Sequence, residues 1–95
     1  MKLETSTEIV IETLSYMESV ALKRFLEIMG ERKEAIITGN ELSEKDGLTR
    51  SIIVYAFQKL KIAGLVRTQG LGMKGTRYEI LNAEALHEIS SRLSV

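Results

Sequence analysis

The stretch from Gly70 to Gly75, GLGMKG, places three glycines at the spacing G-x-G-x-x-G. That spacing can do chemistry: glycine lets backbone amides close round a pyrophosphate, provided the last glycine opens a helix whose N-terminus faces the anion. An acidic residue about 20 residues further on, at the end of a second strand, completes the fingerprint. Neither condition is met. Gly75 is followed by Thr76-Arg-Tyr-Glu-Ile-Leu81, in which Tyr78 and Ile80 alternate with Arg77 and Glu79 as on a strand. The glycines are therefore expected at the tip of a β-hairpin, where positive φ is needed.

Other reactive groups are sparse. His87 is the single histidine, with no second ligand or nucleophile near it in sequence, and is read as a surface residue. The absence of cysteine removes thiolate metal sites, disulfides and cysteine nucleophiles, and is compatible with a reducing cytosol. Asp46 and the glutamates are scattered, mostly over helix surfaces, and form no pair suited to acid–base work. No catalytic residue, metal or cofactor is expected, and the chain is not read as an enzyme.

Charge is more informative. The 95 residues carry 13 basic and 13 acidic side chains, but from Gly47 to Arg77 there is no Asp or Glu, while Arg50, Lys59, Lys61, Arg67, Lys74 and Arg77 contribute +6. The remaining segments hold seven basic and thirteen acidic residues, or −6. Such a block is a candidate surface for phosphates, because counterions are released locally where Lys and Arg meet them. A solvated basic surface without a ligand is the bland alternative.

These residues must be positioned by a small domain. A 95-residue chain is one domain that buries roughly 60–65% of its unfolded surface. No apolar run reaches about 18 residues and MKLETSTEIV has no signal-peptide core, so a cytoplasmic protein without a membrane segment is expected. The expected order is N-terminal helices (1–33), a helix-turn-helix (40–63), a wing hairpin (65–81) and a C-terminal helix (83–93). Glu8–Leu14 is the first helix. Ser15-Tyr-Met-Glu18 is a capping box that starts a second amphipathic helix, ending at Gly30. Glu34–Thr38 reads as a short strand; Asn40 caps a helix Glu41–Asp46; and Thr49 caps a longer one, Arg50–Ala63. Asn82 caps the last, Ala83–Leu93.

The long helix turns Ile53, Ala56, Phe57, Leu60 and Ala63 to the core, and Ser51, Tyr55 and Gln58 outward, flanked by Arg50, Val54 and Lys59. Ile62 lies opposite the core face, as a contact with another chain or a tolerated exposed residue. Leu65–Thr68, the glycine tip and Thr76–Leu81 follow as a hairpin; Leu71 and Met73 at its tip are expected to fold back on it, with contact to sugar edges as the alternative. A helix-turn-helix leading into a basic, glycine-tipped hairpin is a winged helix-turn-helix, in a mainly α domain with a small β-hairpin. Its expected nucleic-acid face comprises Thr49, Arg50, Ser51, Val54, Tyr55, Gln58 and Lys59 from the helix, with Arg67, Lys74 and Arg77 from the wing. Arg50 and Lys74 are placed for phosphates, and Ser51, Tyr55 and Gln58 for base edges. The rival reading is a winged helix that bridges proteins and binds no DNA, as the near-neutral pI suggests.

The run GLTRSIIVYAFQKLKIAGLVRTQGLGMKGTRYEILN resembles the C-terminal DNA-binding region of the CodY family of bacterial global transcriptional regulators. The likeness is carried by Leu48-Thr-Arg-Ser, by Lys59-Leu and Ala63-Gly64, and above all by Leu71-Gly-Met-Lys-Gly-Thr76 and Leu81-Asn82; a weaker similarity runs back through Leu14-Ser-Tyr16. The resemblance implies a repressor that binds A·T-rich operators in double-stranded DNA as a homodimer, with a separate N-terminal sensor domain for branched-chain amino acids and GTP. That sensor domain is absent from this sequence, so either an excised DNA-binding domain or a free-standing relative is expected, with no small-molecule effector site in this chain. The family pattern also has Asn where this chain has Tyr55 and a basic residue where it has Gln58. Asn reads adenine through two hydrogen bonds and Tyr does not, so the resemblance leaves the identity of the operator sequence open.

Overall fold

Residues 3–43 and 47–93 are described by the structure, a computed structural model, with side chains from Thr7 onward in the first helix. Helix α1 spans Leu3–Thr13, so it starts before the expected Glu8. Helix α2, Tyr16–Met29, begins at the capping box: the Ser15 hydroxyl accepts from the Glu18 amide at 3.1 Å, and the Glu18 carboxylate accepts from the Ser15 amide at 2.9 Å. Such reciprocal bonds satisfy amides that the first helical turn leaves without partners.

The next helix departs from expectation at its start. Helix α3 runs Gly39–Ser43, and its cap is Thr38 in place of Asn40. The Thr38 hydroxyl accepts from the Glu41 amide at 3.2 Å, and the Glu41 carboxylate accepts from the Thr38 amide at 2.9 Å. Thr38-Gly-Asn-Glu41 is itself a capping box, whose two bonds outweigh the single bond Asn40 could offer. The expected end of this helix at Asp46 lies outside the described residues. Helix α4, Arg50–Ile62, is capped as expected by Thr49, and α5, Ala83–Arg92, by Asn82.

The expected hairpin is part of a larger sheet. Strands β1 (Glu34–Ile37), β2 (Val66–Gly70) and β3 (Thr76–Ile80) form an antiparallel sheet in the order β1-β3-β2. Opposite pairs Ala35↔Tyr78, Thr68↔Tyr78 and Val66↔Ile80 fix the register. Because side chains alternate across a strand, Val66, Thr68, Thr76, Tyr78 and Ile37 share the inner face, and Glu34, Ile36, Arg67, Gln69, Arg77 and Glu79 the outer one.

The core joins these layers through three aromatic rings. Phe25 of α2 meets Phe57 of α4 edge to face, with centroids 4.9 Å apart, and Tyr78 of β3 lies 4.8 Å from Phe57 and 5.2 Å from Phe25. Each such pair adds about 0.5–1.5 kcal/mol beyond area burial, so α4 and the sheet are held at a fixed mutual angle. Ala21, Leu22 and Met29 of α2, and Ala56 and Leu60 of α4, complete this core, while Ala85, Leu86 and Ile89 of α5 are buried where that helix packs on α1. Ile62 stays outside, 84% exposed.

Candidate nucleic-acid interface

Helix α4 presents two adjoining stripes. Ser51, Tyr55 and Ile62 fall on an outward ridge at helical spacing; Val54, Gln58 and Lys61 lie one step round and line a groove of about 180 Å³ between α4 and the inner face of the sheet. Ser51, Val54, Tyr55 and Gln58 are all exposed, as is Arg50 in the first turn. Thr49 is exposed too, but its hydroxyl oxygen already accepts the Ile52 amide at 3.2 Å, which makes it first of all a cap.

Lys59, expected beside this face, is engaged elsewhere. Its ammonium donates to the Glu18 carboxylate at 2.6 Å and to the Thr13 carbonyl at 2.5 Å, with 33% of the lysine side chain and 11% of the glutamate side chain exposed. It thereby ties α4 to the junction of α1 and α2. Burial pushes the Glu18 carboxyl up, but the bonds from Lys59 and the Ser15 amide outweigh it and hold the group below its ordinary value. The partner lies 41 residues away and comes from an acidic segment, so the acid-free window around Lys59 gave no sign of it.

The wing divides in a similar way. Arg67 and Arg77 both point to the outer face of the sheet, away from α4, where Arg67 pairs with Glu79 at 3.1 Å and Arg77 with Glu34 at 3.1 Å. Lys74 ends a single 3-10 turn, Gly72–Lys74, and is exposed at the tip. The tip is closed by the Leu71 amide donating to the Gly75 carbonyl at 2.9 Å and the Gly75 amide to the Gly72 carbonyl at 3.1 Å. Gly72 and Gly75 have φ of +67° and +108°, while Gly70 is ordinary strand, so two of the three glycines are required by conformation. Gly75 is required by space as well: a Cβ there would stand 2.8 Å from the Ile37 carbonyl oxygen. Met73 is fully exposed, contrary to the expected fold-back, because the three-residue turn carries its side chain out past the ends of the strands; Leu71 is half-buried.

Six cations of the acid-free block are thus sorted into two sets. Lys59, Arg67 and Arg77 have carboxylate partners drawn from outside the block; Arg50, Lys61 and Lys74 have none among the described residues. Lys61, in the sequence only a member of the charge block, lies in the groove, and its i+3 relation to Gln58 is the signal that places it there. His87 is exposed, and among the described residues no group of three His, Asp or Glu side chains is arranged to hold a metal ion. None of the described helices is long and apolar enough to cross a membrane.

Two consecutive helices packed on a third, with the second running into a glycine-tipped hairpin, define a winged helix-turn-helix. Residues 33–92 match the family model of the CodY helix-turn-helix domain, and the chain belongs to that family. It is 38% identical over 82 residues to the global transcriptional regulator CodY of Caldanaerobacter subterraneus subsp. tengcongensis, a match covering 86% of this chain and 32% of that protein. Against the protein of the same description from Bacillus thuringiensis (strain Al Hakam) it is 36% identical over 83 residues, covering 87% and 32%. The chain spans about a third of the length of the curated relatives it matches.

Proposed function

We propose that this domain binds double-stranded DNA sequence-specifically to regulate transcription, with α4 in the major groove and the wing tip on the adjacent phosphates or minor groove. One observation carries the reading: the ridge Ser51, Tyr55, Ile62 and its neighbours Arg50, Val54 and Gln58 form an exposed helix face without a carboxylate, flanked by the exposed cation Lys74 on the wing. Membership of the CodY helix-turn-helix family supports it, as do relatives described as global transcriptional regulators. Lone modules of this size make roughly 600–1,000 Å² of contact, and two half-sites about one helical turn apart supply the affinity that one lacks. The domain therefore acts as a homodimer on a two-fold operator; the resemblance to the CodY family adds that the operator is A·T-rich and the domain a repressor in the bacterial cytoplasm.

Fluorescence anisotropy with a palindromic A·T-rich duplex and a G·C-rich duplex of equal length, at low salt, tests this. Preferential binding of the first with two chains per duplex is the expected result. A protein retained by neither duplex would instead be a winged helix that bridges proteins.

A further inference from the structure

We propose that the groove between α4 and the sheet is a clamp for one backbone phosphate of the DNA strand that crosses between recognition helix and wing; the inference rests on the function proposed above. Beside Gln58, whose amide is assigned to base edges, the groove is lined by four side chains with polar atoms: Lys61 from α4, Thr68 from β2, and Thr76 and Tyr78 from β3. The Lys61 ammonium and the threonine hydroxyls can donate to an anion, and no carboxylate lines the groove to compete with it. That composition contrasts with the hollow on the outer face of the same sheet, where Glu34 and Glu79 sit among the arginines. The groove floor is formed by Phe57 and Tyr78, whose ring contact in the core holds its two walls at a fixed separation. A helix seated in the major groove and a wing reaching toward the next minor groove must straddle one sugar-phosphate strand. The straddled strand meets the protein between these two elements, where Lys61 stands.

Lys61 is exposed and takes no part in the core, so substitutions there leave the fold intact. Affinity is measured at four salt concentrations on the preferred duplex and on a scrambled one, for the full chain and for Lys61→Gln, Lys61→Arg and Thr68→Val. The expected result for Lys61→Gln is a salt slope smaller by about 0.9, which amounts to roughly 8-fold weaker binding in 0.1 M salt, equally on both duplexes. Lys61→Arg keeps the slope. Thr68→Val weakens binding to both duplexes without altering the slope, since a hydroxyl releases no counterion. An unchanged slope for Lys61→Gln, while the unaltered chain binds normally, overturns the clamp and leaves the proposed function standing; an unaltered chain that binds neither duplex overturns both. Inorganic phosphate at millimolar concentration, followed by amide chemical shifts of Thr68 and Thr76, is the remaining arm: no saturable shift is expected, and saturable binding would mean a site for a free anion in place of the DNA strand.

Discussion

The two basic surfaces of this domain differ in what their cations already hold. On the outer face of the sheet, Arg67 and Arg77 are matched by Glu79 and Glu34 at 3.1 Å each. On the α4 side and at the wing tip, Arg50, Lys61 and Lys74 meet no carboxylate among the described residues. Counting charges along the chain puts all five cations in one acid-free block, yet the field presented to an approaching polyanion is set by net local charge. The outer face is nearly neutral pair by pair, and the α4 side is not. Exposed ion pairs are worth about 0–1 kcal/mol, so the outer arginines can be drawn away by phosphate, but each must first leave its partner.

Both surfaces depend on the sheet, so the largest effect is expected from breaking its tip. Gly75→Ala places a side chain at φ +108°, with its Cβ 2.8 Å from the Ile37 carbonyl oxygen, at a cost on the order of 1–3 kcal/mol. Thermal unfolding should show a fall of several degrees, at about 4–8 °C per kcal/mol for a domain of this size. Gly70→Ala, in ordinary strand conformation with open space around it, should change little. Equal melting temperatures for the two variants would mean that the approach of the tip to β1 is not retained in solution.

The next effect separates reading from positioning on the α4 side. Gln58→Ala and Tyr55→Phe should each cost about 1–3 kcal/mol on the preferred duplex and little on a scrambled one, because they remove hydrogen bonds to base edges. Their salt slopes should stay near that of the unaltered chain. Anisotropy titrations that showed the same loss on both duplexes would assign these two side chains to positioning.

A smaller effect sharpens the comparison directly. Arg50→Ala and Lys74→Ala should each lower the salt slope by about 0.9, whereas Arg67→Ala and Arg77→Ala should lower it by clearly less, since their partners already screen them. Glu34→Gln and Glu79→Gln release one guanidinium each and should strengthen binding to any duplex. If all four cation variants gave the same slope change, the pairing would have no bearing on binding.

What the sequence revealed, and what it hid, follows the same division between local and distant. Ser15 with Glu18, Thr49 with Ile52 and Asn82 with Ala85 are bonds over three residues, and the helix starts they set are readable from residue types alone. The glycine tip was readable for the same reason. The Thr38–Glu41 box spans three residues as well, but a strand reading of Glu34–Thr38 takes Thr38 out of the helix start and leaves Asn40 as the cap. The partner of Lys59, by contrast, is 41 residues away, that of Arg77 is 43 and that of Arg67 is 12. No periodicity encodes such pairs, because they follow from how strands and helices are brought together. The acid-free window was real; that acids from outside it would fold over half of its cations was beyond what spacing could indicate.

The smallest effect concerns the cation that left the interface altogether. Lys59 and Ser15 hold the Glu18 carboxyl below its ordinary value of 4.5, so the unfolded chain binds this proton more readily than the folded one. The stabilisation is therefore complete above the ordinary value and is lost as pH falls through the lower, folded one. Melting temperature should drop more steeply as pH falls below 4.5 for the unaltered chain than for Glu18→Gln, which carries no titrating group at that position. The same difference should shrink in a Lys59→Ala background, where the largest favourable partner is gone and only the Ser15 bonds are left to oppose burial. Parallel curves for the unaltered chain and Glu18→Gln would show that the bridge between α4 and the α1–α2 junction contributes nothing to stability. Lys59→Ala carries a second reading: if the ammonium is committed to Glu18 and Thr13, its loss should leave the DNA salt slope unchanged, and a slope lower by about 0.9 would return Lys59 to the phosphate-binding surface.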